Sequence, residues 1–555
     1  MQKPLAGLSR QNVGREVLAG VTLLAIAVPL NIGYAQIAGL PATAGLYALV
    51  LPTVLYALVV SSRQVVASPD AAAAALVASS VGGLAAAGSA AYATMAMAQA
   101  IICGAMLALL SVFKLGFLAN FLSKPILVGF VGGLALDILV SQLAKMLGVK
   151  IDSGGEFVEK VTDLIAGLGT VNPWSLLISV CALAILLVGR RLLAAVPWAL
   201  IVLVAATVVV TVTPAVEAGV AVLGEVPAGP PTLTWPTLSL AQWLALVPSA
   251  MALTLVTTAE GLLVARSYAE KRRYPDDPNR DLLAFGVGNV AAGMSGSFSV
   301  GSSTSRTAAM DQAGSRAQLP SLVLALGSLL LLLFGTALLA DIPSPAIGAI
   351  VGVAVLPLLG IPEFKELWKL DRFEFWIAAV CFLVTLFVGS IMGILVAFVL
   401  AMINMAKRAA SPAIDVLAAN DTPSGSLLVA APPGTSTAPG VVVVRMAAPL
   451  FFANGDVFAT AVKQAVTAVD DTQPVHHLVI DMEAVTDVDV TAAEAFAGLR
   501  DWLDSNHVEL SFSRVRAQAR DRLSRLEIVR DERIFPTNRD AIAALAAGAS
   551  AANDD

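Results

Sequence analysis

Between Val17 and Met405 one apolar run follows another, most of them bounded by a proline, a glycine or a charge. A run of about 20 apolar residues is what a helix needs to cross a bilayer. With 57% of 555 residues hydrophobic and 13% charged, the chain lies far from the balance of a single soluble domain. It reads as a polytopic α-helical membrane protein. The opening "MQKPLAGLSRQNVGREVLAG" holds charges but no cleavage site after a short apolar stretch, so the first run is expected to stay as a span.

Cutting the apolar region at charges, prolines and glycines gives about fourteen candidate spans, near 17–35, 44–60, 69–84, 90–112, 120–143, 174–189, 196–213, 242–266, 282–295, 303–313, 318–338, 345–360, 374–388 and 390–406. Their loops differ in charge. One set holds Arg63, Lys114, Lys124, Arg190, Arg191, "RSYAEKRRYPDDPNRD" (266–281), Arg316, Lys365, Lys369 and Arg372. The other holds only Lys145, Lys150 and Lys160 among basic residues. The excess of Lys and Arg marks the cytoplasmic side, so the expectation is an even span count in a cell (inner) membrane, with the N-terminus and the C-terminal region inside.

After Ser411 the chain reads as soluble sequence. Residues 411–440, rich in Pro, Gly, Ser and Thr, read as a linker. From 441 strand-like "VVVVRM" and "HHLVIDM" alternate with helical stretches, the pattern of a small α/β domain over 441–555. The membrane region 1–410 divides into a first half, about 14–213, and a second, about 242–406.

The third and tenth spans are short, and they hold matching places in two halves of seven. Interrupted spans at corresponding positions point to an inverted repeat with a binding site at the midplane, since broken backbone at that depth must line a cavity or lie inside protein. In the third, Pro69 and Asp70 precede "AAAAALVAS", a helix start with an acid able to cap it. In the tenth, "VGSSTSRTAAM" (300–310) sets hydroxyls and Arg306 at a helix start. Two facing helix N-termini form an anion site without any cofactor. Arg306 adds a full charge that costs about 2.5–3.5 kcal/mol at the bilayer centre on insertion scales, which makes it a functional candidate, although a lasting pair with Asp70 or Glu260 is a rival role. Glu260, with Thr257 and Thr258 beside it, suits a proton carrier or a sodium site, so Asp70, Glu260 and Thr257 are the coupling-ion candidates. Asp137 is expected to be a structural partner.

Other chemistry finds no residues. The three histidines, His476, His477 and His507, fall in the soluble region, and no phosphate loop with its lysine occurs, so neither a metal site, a cofactor, an enzyme activity nor an ATP-driven engine is expected. Cys103, Cys181 and Cys381 each sit in an apolar run and suggest no disulfide framework.

"GVTLLAIAVPLNIGYAQIAGLPATAGLYALVLP" (20–52), "SSRQVVASPDAAAAA" (61–75), "EKRRYPDDPNRDLLAFGVGN" (270–289) and "SSTSRTAAMDQAGSRAQL" (302–319) together resemble the sulfate permease (SulP) family of anion transporters. "VIDMEAVTDVDVTAAEAF" (479–496) resembles the strand-to-helix turn of its STAS domain. The resemblance implies a seven-plus-seven fold like that of the uracil-type transporters, with a moving core and gate, a homodimer, and alternating access. It implies substrate contacts at Asn31, Tyr34, Asp70, Ala71, Ser305, Arg306 and Thr307, and a regulatory role for Thr491, which could equally be a plain helix cap. The expected partners are a small inorganic or organic anion, a proton or sodium ion, membrane lipid and a second copy, with no nucleic acid. An anion channel, or a sodium-coupled symporter, is the alternative on the same fold. Sulfate, bicarbonate, dicarboxylate, nitrate and chloride all remain open as substrates.

Overall fold

The computed structural model describes residues 5–116, 124–152, 155–193, 196–419, 428–432, 434–469 and 474–551, in two units, Met1–Ala401 and Met402–Asp555. The start of the fifth expected span, 120–123, and residues 420–427 of the expected linker lie outside the described residues.

In the first unit the expected spans appear as helices, with ends that follow local chemistry. The first half comprises α1 (Val13–Ile37), α2 (Ala42–Tyr47), α3 (Leu51–Val59), α4 (Ala71–Val81), α5 (Ala90–Val112), α6 (Lys124–Leu147), α7 (Phe157–Ala166), α8 (Pro173–Leu192) and α9 (Trp198–Val212). The second comprises α10 (Leu240–Ala245), α11 (Val247–Arg272), α12 (Pro278–Met294), α13 (Thr304–Gln312), α14 (Leu319–Phe334), α15 (Ser344–Val355), α16 (Ile361–Leu370), α17 (Arg372–Phe387) and α18 (Ser390–Ala410). Ser89 caps α5 by accepting from the Tyr92 N–H at 3.1 Å, and Asn172 caps α8, with Pro173 in the first turn where its missing N–H costs nothing.

Several elements depart from the expectation: α16 lies wholly between the expected spans 345–360 and 374–388, and the expected span 44–60 is divided between α2 and α3. The run "RSYAEKR" (266–272), taken for loop, continues α11 to Arg272, because Ala, Glu, Lys and Arg are strong helix formers once a helix is nucleated. Helix α7 was not foreseen: its charges hide it from an apolar-run reading, yet Glu156 and Glu159 form a capping box at its start. Among the described residues six segments are long and apolar enough to cross a membrane outright, and a bent pair, Phe157–Thr170 with Pro173–Gly189, would make a seventh.

Helix α5 lies along α12 at backbone contact. A Cβ on Gly104 would stand 2.6 Å from the Gly286 carbonyl oxygen, and one on Gly286 would stand 2.9 Å from the Ala108 nitrogen. Small residues allow that approach, which replaces a hydrophobic driving force that lipid does not supply. Two strands of two residues, β1 (Ala67–Ser68) and β2 (Gly301–Ser302), join the halves in the middle of this unit.

The second unit is a six-stranded sheet in the order β4-β3-β5-β6-β7-β8, with strands β3 (Ile414–Ala419), β4 (Leu428–Ala431), β5 (Val441–Met446), β6 (His477–Asp481), β7 (Glu509–Ser513) and β8 (Ile534–Phe535). The helices are α19 (Gly455–Thr467), α20 (Val490–Ser505), α21 (Ala517–Arg525) and α22 (Asn538–Ala551). Strands β5 to β8 run parallel while β3 is antiparallel to both neighbours. Because side chains alternate across a sheet, Val442 and Val444 enter one core with Phe458 and Phe496. Val441 and Val443 enter another with Ala541 and Leu545. The stretch 411–440, expected as a linker, thus carries two strands of the sheet: β3 covers the edge of β5 that would otherwise expose unpaired backbone.

Candidate functional site

Strands β1 and β2 pair antiparallel, Ala67 opposite Ser302 and Ser68 opposite Gly301. The pairing extends one step further, where the Ser303 N–H donates to the Val66 carbonyl at 3.1 Å. Antiparallel strands feed α4 and α13 away in opposite directions, so the two helix N-termini stay close to the pair. Each N-terminus has backbone N–H groups with no acceptor in its own helix and carries the positive end of the helix dipole.

Asp70 caps α4, with Oδ1 accepting from the Ala73 N–H at 2.7 Å. Its Oδ2 lies against Gly301, where any Cβ would collide with it, so this close approach needs glycine. Ala71, the first residue of α4, is buried. On the other side Ser303 caps α13, its hydroxyl accepting from the Arg306 N–H at 3.4 Å.

Arg306 is wholly buried. Its Nη2 donates to the Pro69 carbonyl, and its guanidinium carbon stands 5.6 Å from the centre of the Tyr34 ring, within cation–π range. Its Nε and Nη1 have no protein partner. In place of the rival pairing with Asp70 or Glu260, Arg306 bonds to the backbone carbonyl one residue before Asp70, and two of its charged donors have no protein partner. A buried donor without an acceptor costs about 1–3 kcal/mol, more when charged, so these groups await a ligand or water.

The remaining predicted residues divide by whether they are already engaged. Thr307 is buried and its hydroxyl accepts from the Val66 N–H at 3.1 Å, which ties β1 to α13. Ser305 is exposed on the first turn of α13, 3.5 Å from the Ser303 hydroxyl. Asn31 donates to the Ala27 carbonyl at 2.7 Å within its own helix, and its Oδ1 is unpartnered. Glu260, partly exposed on α11, is within electrostatic range of Asp70. The Thr257 hydroxyl lies 3.9 Å from where a Cβ on Gly301 would stand, and the buried Thr258 hydroxyl has no partner. Tyr34 is within range of both Arg306 and Asp70. Asp137 pairs with Lys160 at 2.8 Å. In the second unit Thr491 is exposed in the first turn of α20, and the cap there is Asp489, which accepts from the Ala492 N–H at 2.8 Å.

Sequence reasoning missed several polar side chains that hold the unit together around the site. Asn289 accepts from the Val300 N–H at 3.0 Å and donates to the Val300 carbonyl at 2.8 Å, which holds the chain extended into β2. Gln318 donates to the carbonyls of Ser62 and Val65 at 3.0 and 2.9 Å and does the same for the approach to β1. Glu16 accepts from the Ser315 hydroxyl and the Arg316 N–H, both at 2.6 Å. Each is a single polar residue in or beside an apolar run, a signal present in the sequence but without its partner.

Residues 14–381 match the model of the sulfate permease family, and 433–541 match that of the STAS domain. A probable sulfate transporter of Mycobacterium tuberculosis is 35% identical over 534 residues, 95% of this chain and 94% of that one. A chloroplastic sulfate transporter of Arabidopsis thaliana is 28% identical over 95% of this chain and 79% of that one. Among solved structures, the murine solute carrier 26 family member A9 anion transporter in its inward-facing state aligns with a TM-score of 0.87 and 25% identity, covering 98% of this chain and 92% of that one. The transmembrane domain of a cyanobacterial bicarbonate transporter aligns with a TM-score of 0.63 and 22% identity over 72% of this chain and 100% of that one. With its transmembrane helices, a family match across most of its membrane region and a STAS domain after it, this chain belongs to the sulfate permease family of anion transporters.

Proposed function

We propose that the chain is a secondary active transporter that carries a small anion, sulfate first among the candidates, by alternating access between a core and a gate of a fourteen-span, seven-plus-seven fold. The observation that carries this reading is Arg306: a wholly buried guanidinium beside two helix starts, with Nε and Nη1 unpartnered. The names of the curated relatives, sulfate transporters, support the choice of substrate.

In this scheme the anion accepts hydrogen bonds from the open guanidinium donors and from the first backbone N–H groups of α4 and α13, with Ser305 at the accessible side. Tyr34 backs the guanidinium and Asn31 lines the first-span wall. The negative Asp70 already sits on the dipole of α4 and so opposes the substrate. Protonation of Asp70, with Glu260 as its neighbour, removes that opposition and couples proton to anion. Thr257, three residues before Glu260 and so on the same face of α11, favours one second reading, in which sodium occupies that place. The transporter works as a homodimer in the cell membrane with its STAS domain in the cytoplasm, where phosphorylation of Thr491 regulates it.

Purified protein in liposomes tests the proposal. Arg306→Ala abolishes saturable sulfate uptake while the protein remains folded by its thermal transition; uptake at the unsubstituted rate rejects it. Uptake that follows an imposed pH gradient and ignores replacement of sodium by choline supports the proton reading, and the converse supports sodium. Counterflow separates a carrier from a channel, since only a carrier exchanges faster when substrate is loaded on the far side.

A further inference from the structure

At the end of the membrane unit where α1 finishes, two voids meet around one ion pair. The smaller, about 20 Å³, is lined by Gln36, Ala78, Asp137, Gln142, Lys145 and Lys160 among others. The larger, about 170 Å³, shares Ala78, Asp137 and Lys160 and extends to Thr385 and Gly389. Helix α4 connects them to the central site: Ala78 lies seven residues beyond Ala71, about 10 Å along the helix.

The polar groups around the smaller void are unequally engaged. Lys160 donates to both oxygens of Asp137, at 3.0 and 2.8 Å, so those two charges offset each other. Lys145 donates to the Gln36 side-chain oxygen at 3.0 Å, a neutral acceptor that leaves the ammonium charge unmatched at this contact. Gln142 is 1% exposed, and neither its Nε2 nor its Oε1 has a partner. Two ammonium groups and one carboxylate therefore surround the void, together with a buried N–H donor that has nothing to donate to. A void of this size has room for a water-sized particle, and so for a monatomic anion.

We propose that this void is a second anion site, separate from the one at Arg306, in which a halide-sized anion is held by Lys145 Nζ and Gln142 Nε2 beside the Lys160–Asp137 pair. An anion there matches the ammonium charge and satisfies the orphaned amide donor, two costs that the protein alone leaves unanswered. The pair with Asp137 keeps Lys160 from capturing the ion outright, so the site binds weakly enough to release it. Lysines at this end, the end poor in basic residues, thereby gain a role that the central site does not supply.

Thermal unfolding of the purified full chain tests this, with chloride replacing gluconate at constant ionic strength, because a ligand bound only by the folded state raises the midpoint. The chloride-dependent rise persists in Arg306→Ala and is lost in the double variant Arg306→Ala/Lys145→Gln. Loss of the rise in Arg306→Ala alone, or its survival in the double variant, overturns the second site. Should Arg306→Ala fail to fold, crystals of the unsubstituted chain soaked in bromide decide: an anomalous peak within hydrogen-bond distance of Lys145 Nζ supports the site, and its absence overturns it. Failure of the central reading shows elsewhere, as normal sulfate uptake by a folded Arg306→Ala protein.

Discussion

Asp70 gives one carboxylate oxygen to the start of its own helix and rests the other against Gly301, so its capping role and the proposed proton-carrying role can be separated by substitution. Asp70→Asn keeps an oxygen acceptor for the Ala73 N–H and removes the titration. It is expected to hold the thermal midpoint near that of the unsubstituted protein while sulfate uptake loses its dependence on pH. Asp70→Ala loses the cap as well, at about 1 kcal/mol, and lowers the midpoint too. Uptake by Asp70→Asn that keeps its pH dependence removes Asp70 from the coupling step.

Among the elements, α5 and α12 show what membrane packing demands of sequence. The glycines at 104 and 286 bring backbone within reach of backbone, and a side chain at either place has nowhere to go. Gly286→Val is expected to destabilise the membrane unit by about 1–3 kcal/mol, the usual cost of overpacking, read as a lower thermal midpoint in detergent. Gly352, inside α15, has nothing within 4 Å of where its Cβ would be, so Gly352→Ala leaves the midpoint unchanged or raises it slightly. A drop at Gly352 equal to that at Gly286 removes the packing argument. The same logic explains why the two-residue strands suffice: Asn289 and Gln318 hold the chain leading into each, so β1 and β2 need only a minimal ladder.

For the molecule as a whole, the division into two units predicts that they respond separately to pH. In the STAS unit burial pushes the Glu532 carboxyl up, but backbone N–H groups, among them that of Arg530, and the Arg500 guanidinium outweigh burial and hold it below the usual carboxylate range. The Arg500 contact is 2.6 Å and the Arg530 N–H contact is 2.6 Å. Unfolded, the same carboxyl titrates near about 4.3. Between the two values the unfolded chain binds more protons, so this contribution is fully present above about pH 4.3 and is lost as pH falls through the folded value. Glu532→Gln is expected to flatten the acid-side loss of STAS stability, measured by unfolding between pH 3 and 6, and to leave the transition of the membrane unit in place; an unchanged acid limb rejects the assignment.

What the sequence by itself determined is what local physics controls. Apolar length separates a membrane region from a soluble one, the breaks at Pro69 and in 300–310 mark two half-helices, and strand and helix alternation after 441 marks an α/β domain. It missed α7, whose charges interrupt any apolar run, and the strands within 411–440, whose short apolar runs are too brief to stand out among Pro, Gly, Ser and Thr. Which polar groups are engaged and which are open was decided only by tertiary structure. Thr307 and Arg306 are neighbours in the same short motif, yet one is tied to Val66 and the other keeps two donors free. Their partners stand more than two hundred residues away in the chain, and Lys145, Gln142 and Gln36 meet around one void by the same route. A residue's type sets what bond it can make; the packing of distant elements sets whether the bond has been made already.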